Sequence, residues 1–195
     1  MKNFAWAAMA FFIAISIFAC KKDETSLGEC TDGSANFPWL AAGHELCYVF
    51  SGFTGDDSLY IKVLSHVSGG TYQVESRLLF YSDSTTEYYS ACNNDLYTSG
   101  SGDFSEYGHY WFSLDANAGD TWTRSKNGTI YTYHLYGKNE TAEGTLAGQT
   151  FTGCYKFSFH SSTNFATDTI YFKPDEGIVF YHGFSGSFEL VRKNF

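Results

Sequence analysis

The sequence predicts an all-β domain built as an antiparallel meander. Aromatic residues make up 19% of the chain, with 15 Tyr and 19 Phe, and they recur in short runs separated by Gly, Asn, Asp and Ser. In several segments apolar and polar residues alternate with a period of two, which is typical of strands with one buried and one solvated face. Beyond residue 19, no stretch of the sequence has the 3.6-residue period of an amphipathic helix.

The first residues predict export. Lys2 precedes an apolar run from Phe4 to Ala19, which is shorter than the roughly 20 residues of a membrane-spanning helix. A basic start, a short apolar run and a small residue before the cut describe a signal peptide. We therefore expect residues 1–19 to form a lipoprotein signal peptide, residues 20–36 a lipidated tether and residues 37–195 a single β domain.

The end of this signal resembles the lipobox of bacterial lipoproteins. The residues are Ile17-Phe18-Ala19-Cys20, and in that family the cysteine receives the lipid, such as a palmitate chain, and becomes the new N-terminus. Lys21-Lys22-Asp23-Glu24 resembles the tag that sends Bacteroidota lipoproteins to the outer face of the outer membrane; the alternative is a plain solvated tether. The resemblance implies an outer-membrane protein anchored through Cys20 and displayed at the cell surface.

The net charge limits the partners. It is −9 for the full chain, which argues against a nucleic-acid partner because phosphates require Lys and Arg. It also argues against adhesion to an anionic lipid surface. Membrane attachment must then depend on the lipid at Cys20, with an unknown ligand or protein as the other partner.

The first strands follow from the alternating segments. Leu59, Ile61 and Val63 alternate with polar or amphipathic neighbours and predict a strand over residues 58–66. The same pattern predicts strands over residues 71–80 and 155–160. Asn127-Gly128 predicts a hairpin turn between a strand containing Trp122 and one containing Tyr131.

The chain also shows signs of internal duplication. Ala42-Gly43 opens one half and Ala118-Gly119 opens the other, and a second glycine follows at a similar distance in each, at Gly70 and Gly148. We interpret this as a meander of roughly six strands per half, with the halves joined into one sheet system. The sequence leaves open whether that system forms a curved open barrel or a two-sheet sandwich.

Several motifs resemble those of a widespread family of uncharacterised bacterial outer-membrane lipoproteins of the Bacteroidota type. That family reads G-D-x-W, A-G-T-F-x-x-C-x-K and G-[IL]-V in order. The corresponding residues are Gly119-Asp120-Thr121-Trp122, Ala147-Gly148-Gln149-Thr150-Phe151 with Cys154-Tyr155-Lys156, and Gly177-Ile178-Val179. Gln149 departs from the pattern. The resemblance covers residues 37–183 and implies an all-β module, curved like the open barrels of lipoprotein carriers.

Four cysteines remain after Cys20 is assigned to the lipid. They are Cys30, Cys47, Cys92 and Cys154, and in an oxidising compartment they allow three pairings into two disulfides, among which the sequence does not choose. Free buried thiols are the alternative.

Two further kinds of site are expected. Asp57-Ser58-Leu59, Asp83-Ser84-Thr85 and Asp168-Thr169-Ile170 resemble the Bacteroidota O-glycosylation acceptor, which marks Ser58, Ser84 and Thr169 as candidates. Aromatic residues on the exposed face of a sheet can stack on sugar rings or line an apolar groove. The candidates for such a ligand platform are Trp111, Trp122, Tyr131 and Tyr133; the alternative is ordinary packing within the sheet.

The sequence contains no recognisable set of catalytic residues, metal site or cofactor motif. The six histidines lack the spacing that places two imidazoles together on one element, and no pair of carboxylates stands out. We therefore expect a non-catalytic domain that binds a ligand or a partner. The alternatives are a carrier for an acyl chain in an open-barrel groove and, third, a glycoside hydrolase.

Overall fold

A computed structural model describes residues 31–52, 55–78, 83–102, 104, 110–126, 128–183 and 186–195. Within these ranges the chain forms twelve strands and a short 3-10 helix at Ser34–Asn36. The strands are β1 Glu45–Gly52, β2 Gly55–Ser68, β3 Thr71–Leu78, β4 Asp83–Cys92, β5 Asp95–Ser99, β6 Tyr110–Ser113, β7 Thr121–Lys126, β8 Thr129–Glu143, β9 Thr150–Ser161, β10 Asn164–Lys173, β11 Gly177–Gly183 and β12 Gly186–Lys193.

All twelve strands belong to one antiparallel sheet. Its order is β6-β5-β4-β3-β2-β1-β12-β11-β10-β9-β8-β7. Sequence neighbours are therefore paired within β1–β6 and within β7–β12, and the two halves join where β1 pairs with β12. The sheet curls into a nearly closed barrel, with β6 and β7 at its two edges. The all-β meander predicted from the sequence is confirmed, and of the two predicted architectures the chain adopts the barrel.

The two halves of the chain repeat the same six-strand meander, as the sequence predicted: β1–β6 form one half and β7–β12 the other. The entry to each half is also the same. Gly43 N–H donates to the carbonyl of Val63 at 2.8 Å, and Gly119 N–H donates to that of Leu135 at 2.8 Å. The two glycines have φ of 88° and 96°, a region that side chains with a Cβ disfavour. The Ala-Gly openers are therefore turn residues that start equivalent hairpins.

The barrel has two distinct ends. Because the strands alternate in direction, the last residues of the odd-numbered strands and the first residues of the even-numbered strands lie together at one end, which we call the tip end. The opposite end, here the plug end, is filled by the segment that precedes β1. Phe37, Trp39 and Leu40 of that segment are each at most 4% exposed. The Trp39 ring packs edge-on against Tyr89 of β4 at 5.6 Å between ring centroids.

The folded unit extends before residue 37. Gly33 N–H donates to the carbonyl of Ala91 at 3.1 Å, and Asp32 forms a β-bridge with Cys92. Asn36 Nδ2 donates to the carbonyl of Asn93 at 3.1 Å. The end of the segment that the sequence assigned to the tether, residues 31–36, is thus bonded to the β4–β5 region of the sheet.

Aromatic rings fill the middle of the barrel. Phe112 of β6 lies 4.8 Å from Phe172 of β10 and 5.5 Å from Phe157 of β9, measured between ring centroids. All three residues are fully buried. Strands far apart in the sheet order thus meet through their inward side chains, and a large apolar area is removed from water.

The turn between β8 and β9 folds over the outside of β12. Phe188 and Leu190 face the interior, so Glu189 between them faces outward, yet it is 0% exposed. Its carboxylate accepts hydrogen bonds from the backbone N–H groups of Leu146 (3.0 Å), Ala147 (2.9 Å) and Gln149 (2.9 Å). This arrangement, the Glu189 cradle, satisfies a buried charge that would otherwise cost several kcal/mol.

Candidate ligand-binding site

A cavity of about 440 Å³ lies inside the barrel, within the roughly 300–1,000 Å³ range of small-molecule sites. Its described walls come mostly from inward-facing aromatic and aliphatic side chains of strands β4 and β6–β12. They are Tyr89, Trp111, Arg124, Thr129, Tyr131, Tyr133, Phe159, Ile170, Ile178, Tyr181 and Phe188. Arg124 and Thr129 flank the β7–β8 turn, which places one side of the cavity at the tip end.

Period-two alternation explains why these residues share one surface. Tyr131 and Tyr133 are two apart on β8, and their register partners on β7 are Arg124 and Trp122. Phe159 of β9 is the register partner of Tyr133. Because side chains two apart on a strand point to the same face, the pairing aligns them into one continuous wall.

The structure brings the four residues of the predicted ligand platform together. Trp122 and Tyr133 stack with ring centroids 5.5 Å apart and planes 4° from parallel. Trp111, Tyr131 and Tyr133 line the cavity directly. They do not lie on an exposed outer face, where the sequence interpretation placed such a platform, but on the inner wall of the barrel.

Side-chain hydrogen bonds bridge the two ends of the sheet next to this wall. Trp122 Nε1 donates to the carbonyl of Trp111 at 3.2 Å. Arg124 Nη1 donates to the hydroxyl of Thr98 on β5 at 2.5 Å, and Lys138 Nζ donates to the carbonyl of Leu114 at 3.0 Å. We call this line of contacts the seam. It joins the two ends of the sheet where no backbone ladder is described between β6 and β7.

Arg124 is the charged residue of this wall, and it is among the wall residues that sequence analysis did not select. Of the described residues around the cavity, it alone carries a charge at neutral pH. Its guanidinium carbon lies 5.7 Å from the centre of the Tyr131 ring, a cation–π distance. The period-two pattern could have identified it, because Arg124 stands two residues after Trp122 on the same strand and so lies on the same face of the sheet.

The tyrosines of the wall are electrostatically unusual. Burial raises the pKa of the Tyr89 hydroxyl well above its ordinary value, and the positive charge of Arg124 only partly opposes that shift. Burial likewise raises the pKa of Tyr133. Both hydroxyls therefore stay protonated throughout the physiological range and can act as hydrogen-bond donors.

The disulfides proposed among the described cysteines are not formed. Cys47 and Cys154 are free thiols, and no disulfide joins either of them to Cys92. The reason is topological: these cysteines lie on β1, β9 and β4, and no two of those strands are adjacent in the sheet. Neighbouring strands are already about 4.8 Å apart, so more distant ones exceed the Cα separation that a disulfide spans. Cys30, like Cys20 and the signal peptide, lies outside the described residues.

The candidate glycosylation sites lie in strands rather than loops. Ser84 is exposed near the start of β4, whereas Ser58 on β2 and Thr169 on β10 are half-buried. Ser58 N–H donates to its neighbour Asp57 at 2.6 Å. Modification of these residues stays a prediction, with Ser84 the most accessible of the three.

The described residues contain neither a metal-binding cluster nor a candidate membrane-spanning helix. They contain no cluster of three or more His, Cys, Asp or Glu side chains able to hold a metal ion. Nor do the described ranges include a helix long and apolar enough to cross a membrane.

The fold and cavity together define a twelve-stranded antiparallel barrel with an aromatic internal site toward the tip end. No protein-family model matches the chain, and no curated protein matches it in a sequence comparison.

Proposed function

We propose that this protein is a lipid-anchored, non-catalytic binding protein that holds a small, largely apolar ligand inside its barrel. The observation that carries the proposal is the 440 Å³ cavity with walls of aromatic and aliphatic side chains. Filling it would remove apolar ligand surface from water at a gain of about 25 cal/mol per Å². The acyl-chain carrier considered from the sequence is one form of this function.

The chemistry of the wall supports binding rather than turnover. General acid–base catalysis at neutral pH needs groups whose pKa lies near 7. Arg124 does not deprotonate in proteins, and burial moves the pKa of Tyr89 and Tyr133 upward, away from neutrality. The described wall thus supplies orientation and apolar contact but no group poised for proton transfer near pH 7.

A neutral fluorescent probe tests the binding site. N-phenyl-1-naphthylamine is nearly dark in water and bright in apolar surroundings, and we expect saturable enhancement with the full chain. In Thr129→Trp, a large ring added at the tip-end wall should weaken binding at least tenfold. The matched control is Ile130→Trp, because the neighbouring residue is 51% exposed and faces away from the cavity.

Two results would overturn the binding proposal: no saturable enhancement with the wild-type protein, or equal affinity for both tryptophan variants and the wild type. The anchor is tested separately by mass spectrometry of membrane-extracted protein. We expect an acylated Cys20 at the N-terminus and loss from the membrane fraction in Cys20→Ser. An unprocessed N-terminus or unchanged fractionation of the variant would contradict the anchor.

A further inference from the structure

The guanidinium of Arg124 is held at the cavity wall on one side only. Nη1 donates to Thr98 Oγ1 at 2.5 Å, and the guanidinium carbon lies 5.7 Å from the Tyr131 ring centroid. These two contacts restrain the position of the guanidinium. Such pre-organisation lowers the entropy that a further hydrogen bond would cost.

The other side of the guanidinium lacks a protein acceptor. Nε is buried and has no hydrogen-bond partner among the described residues. No described carboxylate pairs with Arg124 either, so its charge is not neutralised within the part of the chain that the structure describes. Arg124 as a whole is half-buried, but a buried donor without an acceptor is costly, and a bound anion would supply both the acceptor and the counter-charge.

The unpartnered edge of Arg124 matches a carboxylate. With Nη1 engaged by Thr98, the donors that remain are Nε–H and the Nη2 group beside it, which together form the fork that binds two oxygens bidentately. A single guanidinium balances a single negative charge. A dianionic phosphate monoester would leave excess charge among aromatic rings, so a carboxylate monoanion matches this wall better.

We propose that the ligand of the cavity is an organic monocarboxylate, with its carboxylate bound to the Nε/Nη2 edge of Arg124 and its apolar body along Tyr133, Phe159 and Phe188. This inference rests on the proposed function and names its ligand class. The aromatic and aliphatic side chains of the wall supply apolar contact, and Arg124 selects the anion and sets its orientation.

Calorimetric titration of the full chain with decanoate and decan-1-ol at pH 7.5 tests the ligand class. The two probes share an apolar chain and differ in charge at one end. We expect decanoate to bind at least tenfold more tightly than decan-1-ol. In Arg124→Met this preference should vanish through weaker decanoate binding, with the affinity for decan-1-ol within twofold of the wild type.

The control variant is Arg192→Met, which changes the net charge equally but lies at an exposed position of β12; it should keep the preference. If Arg124→Met fails to fold, Arg124→Lys retains the charge without the fork and should weaken decanoate binding severalfold. Equal affinity for both probes, or decanoate binding unchanged in the folded Arg124 variants, would overturn the carboxylate proposal while leaving the binding function intact. Failure of both probes and of the neutral fluorophore would overturn the function itself.

Discussion

Arg124 on β7 and Thr98 on β5 are joined by a 2.5 Å hydrogen bond across the place where the sheet does not close on itself. The same guanidinium lines the cavity. Seam and binding site therefore share a residue, so the contacts that complete the barrel also fix one wall of the cavity.

Trp122→Phe should weaken the seam. The variant removes the indole N–H that donates to the carbonyl of Trp111 and shrinks the ring stacked on Tyr133. A lost hydrogen bond and reduced buried area predict a free energy of unfolding lower by about 1–2 kcal/mol, measured by urea denaturation. Thr123→Val, on the exposed face of the same strand, is the control and should match the wild type. Wild-type stability in Trp122→Phe would contradict a structural role for this contact.

Glu189→Gln should destabilise the fold strongly. The amide keeps the size of the carboxylate but places an NH₂ group against backbone N–H donors and removes the charge from the hydrogen bonds of the Glu189 cradle. Leaving such buried groups unsatisfied predicts a loss of about 2–4 kcal/mol in the free energy of unfolding.

The matched control for that change is Glu45→Gln on the neighbouring strand β1. Glu45 is exposed, and its 2.6 Å ion pair with Lys62 lies at the surface. Glu45→Gln should leave the urea midpoint unchanged, since exposed ion pairs contribute little to the free energy of unfolding. Equal effects of the two substitutions would contradict the cradle.

The described cysteines on β1 and β9 should differ in reactivity. Cys154 is 0% exposed, and burial raises the pKa of its thiol to about 11, so both access and thiolate fraction are low at pH 8. Iodoacetamide followed by peptide mapping should modify the half-buried Cys47 first and Cys154 only after denaturation. Equal native labelling of the two would show that the β9 region opens readily.

Alkaline pH should destabilise the protein. The folded-state pKa of Tyr48, Tyr89 and Tyr133 is raised by burial, so the unfolded chain ionises these residues first, near pH 10. Their contribution is fully present below about pH 9 and is lost as the pH rises further, by up to about 1.4 kcal/mol per pH unit for each tyrosine. Urea midpoints between pH 8 and 11 measure the slope, and Tyr89→Phe should reduce it. A variant with the wild-type slope would show that Tyr89 does not take part.

The fold could largely be predicted from the sequence. Alternation over residues 58–66 and 155–160 identified strands within β2 and β9, because a half-buried strand must alternate. The Ala-Gly openers revealed the six-strand repeat because a positive φ restricts the residue that each turn accepts. Alternation does not tell which strands are neighbours in the sheet. For that reason the disulfide prediction was wrong for every pairing among Cys47, Cys92 and Cys154.

The cavity wall could be predicted from the sequence only in part. Trp111, Trp122, Tyr131 and Tyr133 were selected by residue type, yet their position on the inner wall depends on the curvature of the sheet. Glu189 could not be found, since its strand pattern assigns it to the outer face and only the β8–β9 turn buries it. The local pattern tells on which face of its strand a residue lies. Whether a distant segment then covers that residue depends on the complete fold.

The pairing of β1 with β12 has a consequence for how the chain folds. Glu45 N–H donates to Asn194 Oδ1 across 149 positions of sequence. The contacts that unite the two halves therefore join residues that are very far apart along the chain. Closing so long a loop costs chain entropy before any contact repays it. Each six-strand half can assemble from local hairpins, but the barrel is complete only after residues 186–193 have emerged. Until β12 joins the sheet, the first half keeps an unpaired edge at β1 and the cavity lacks the wall that Phe188 supplies.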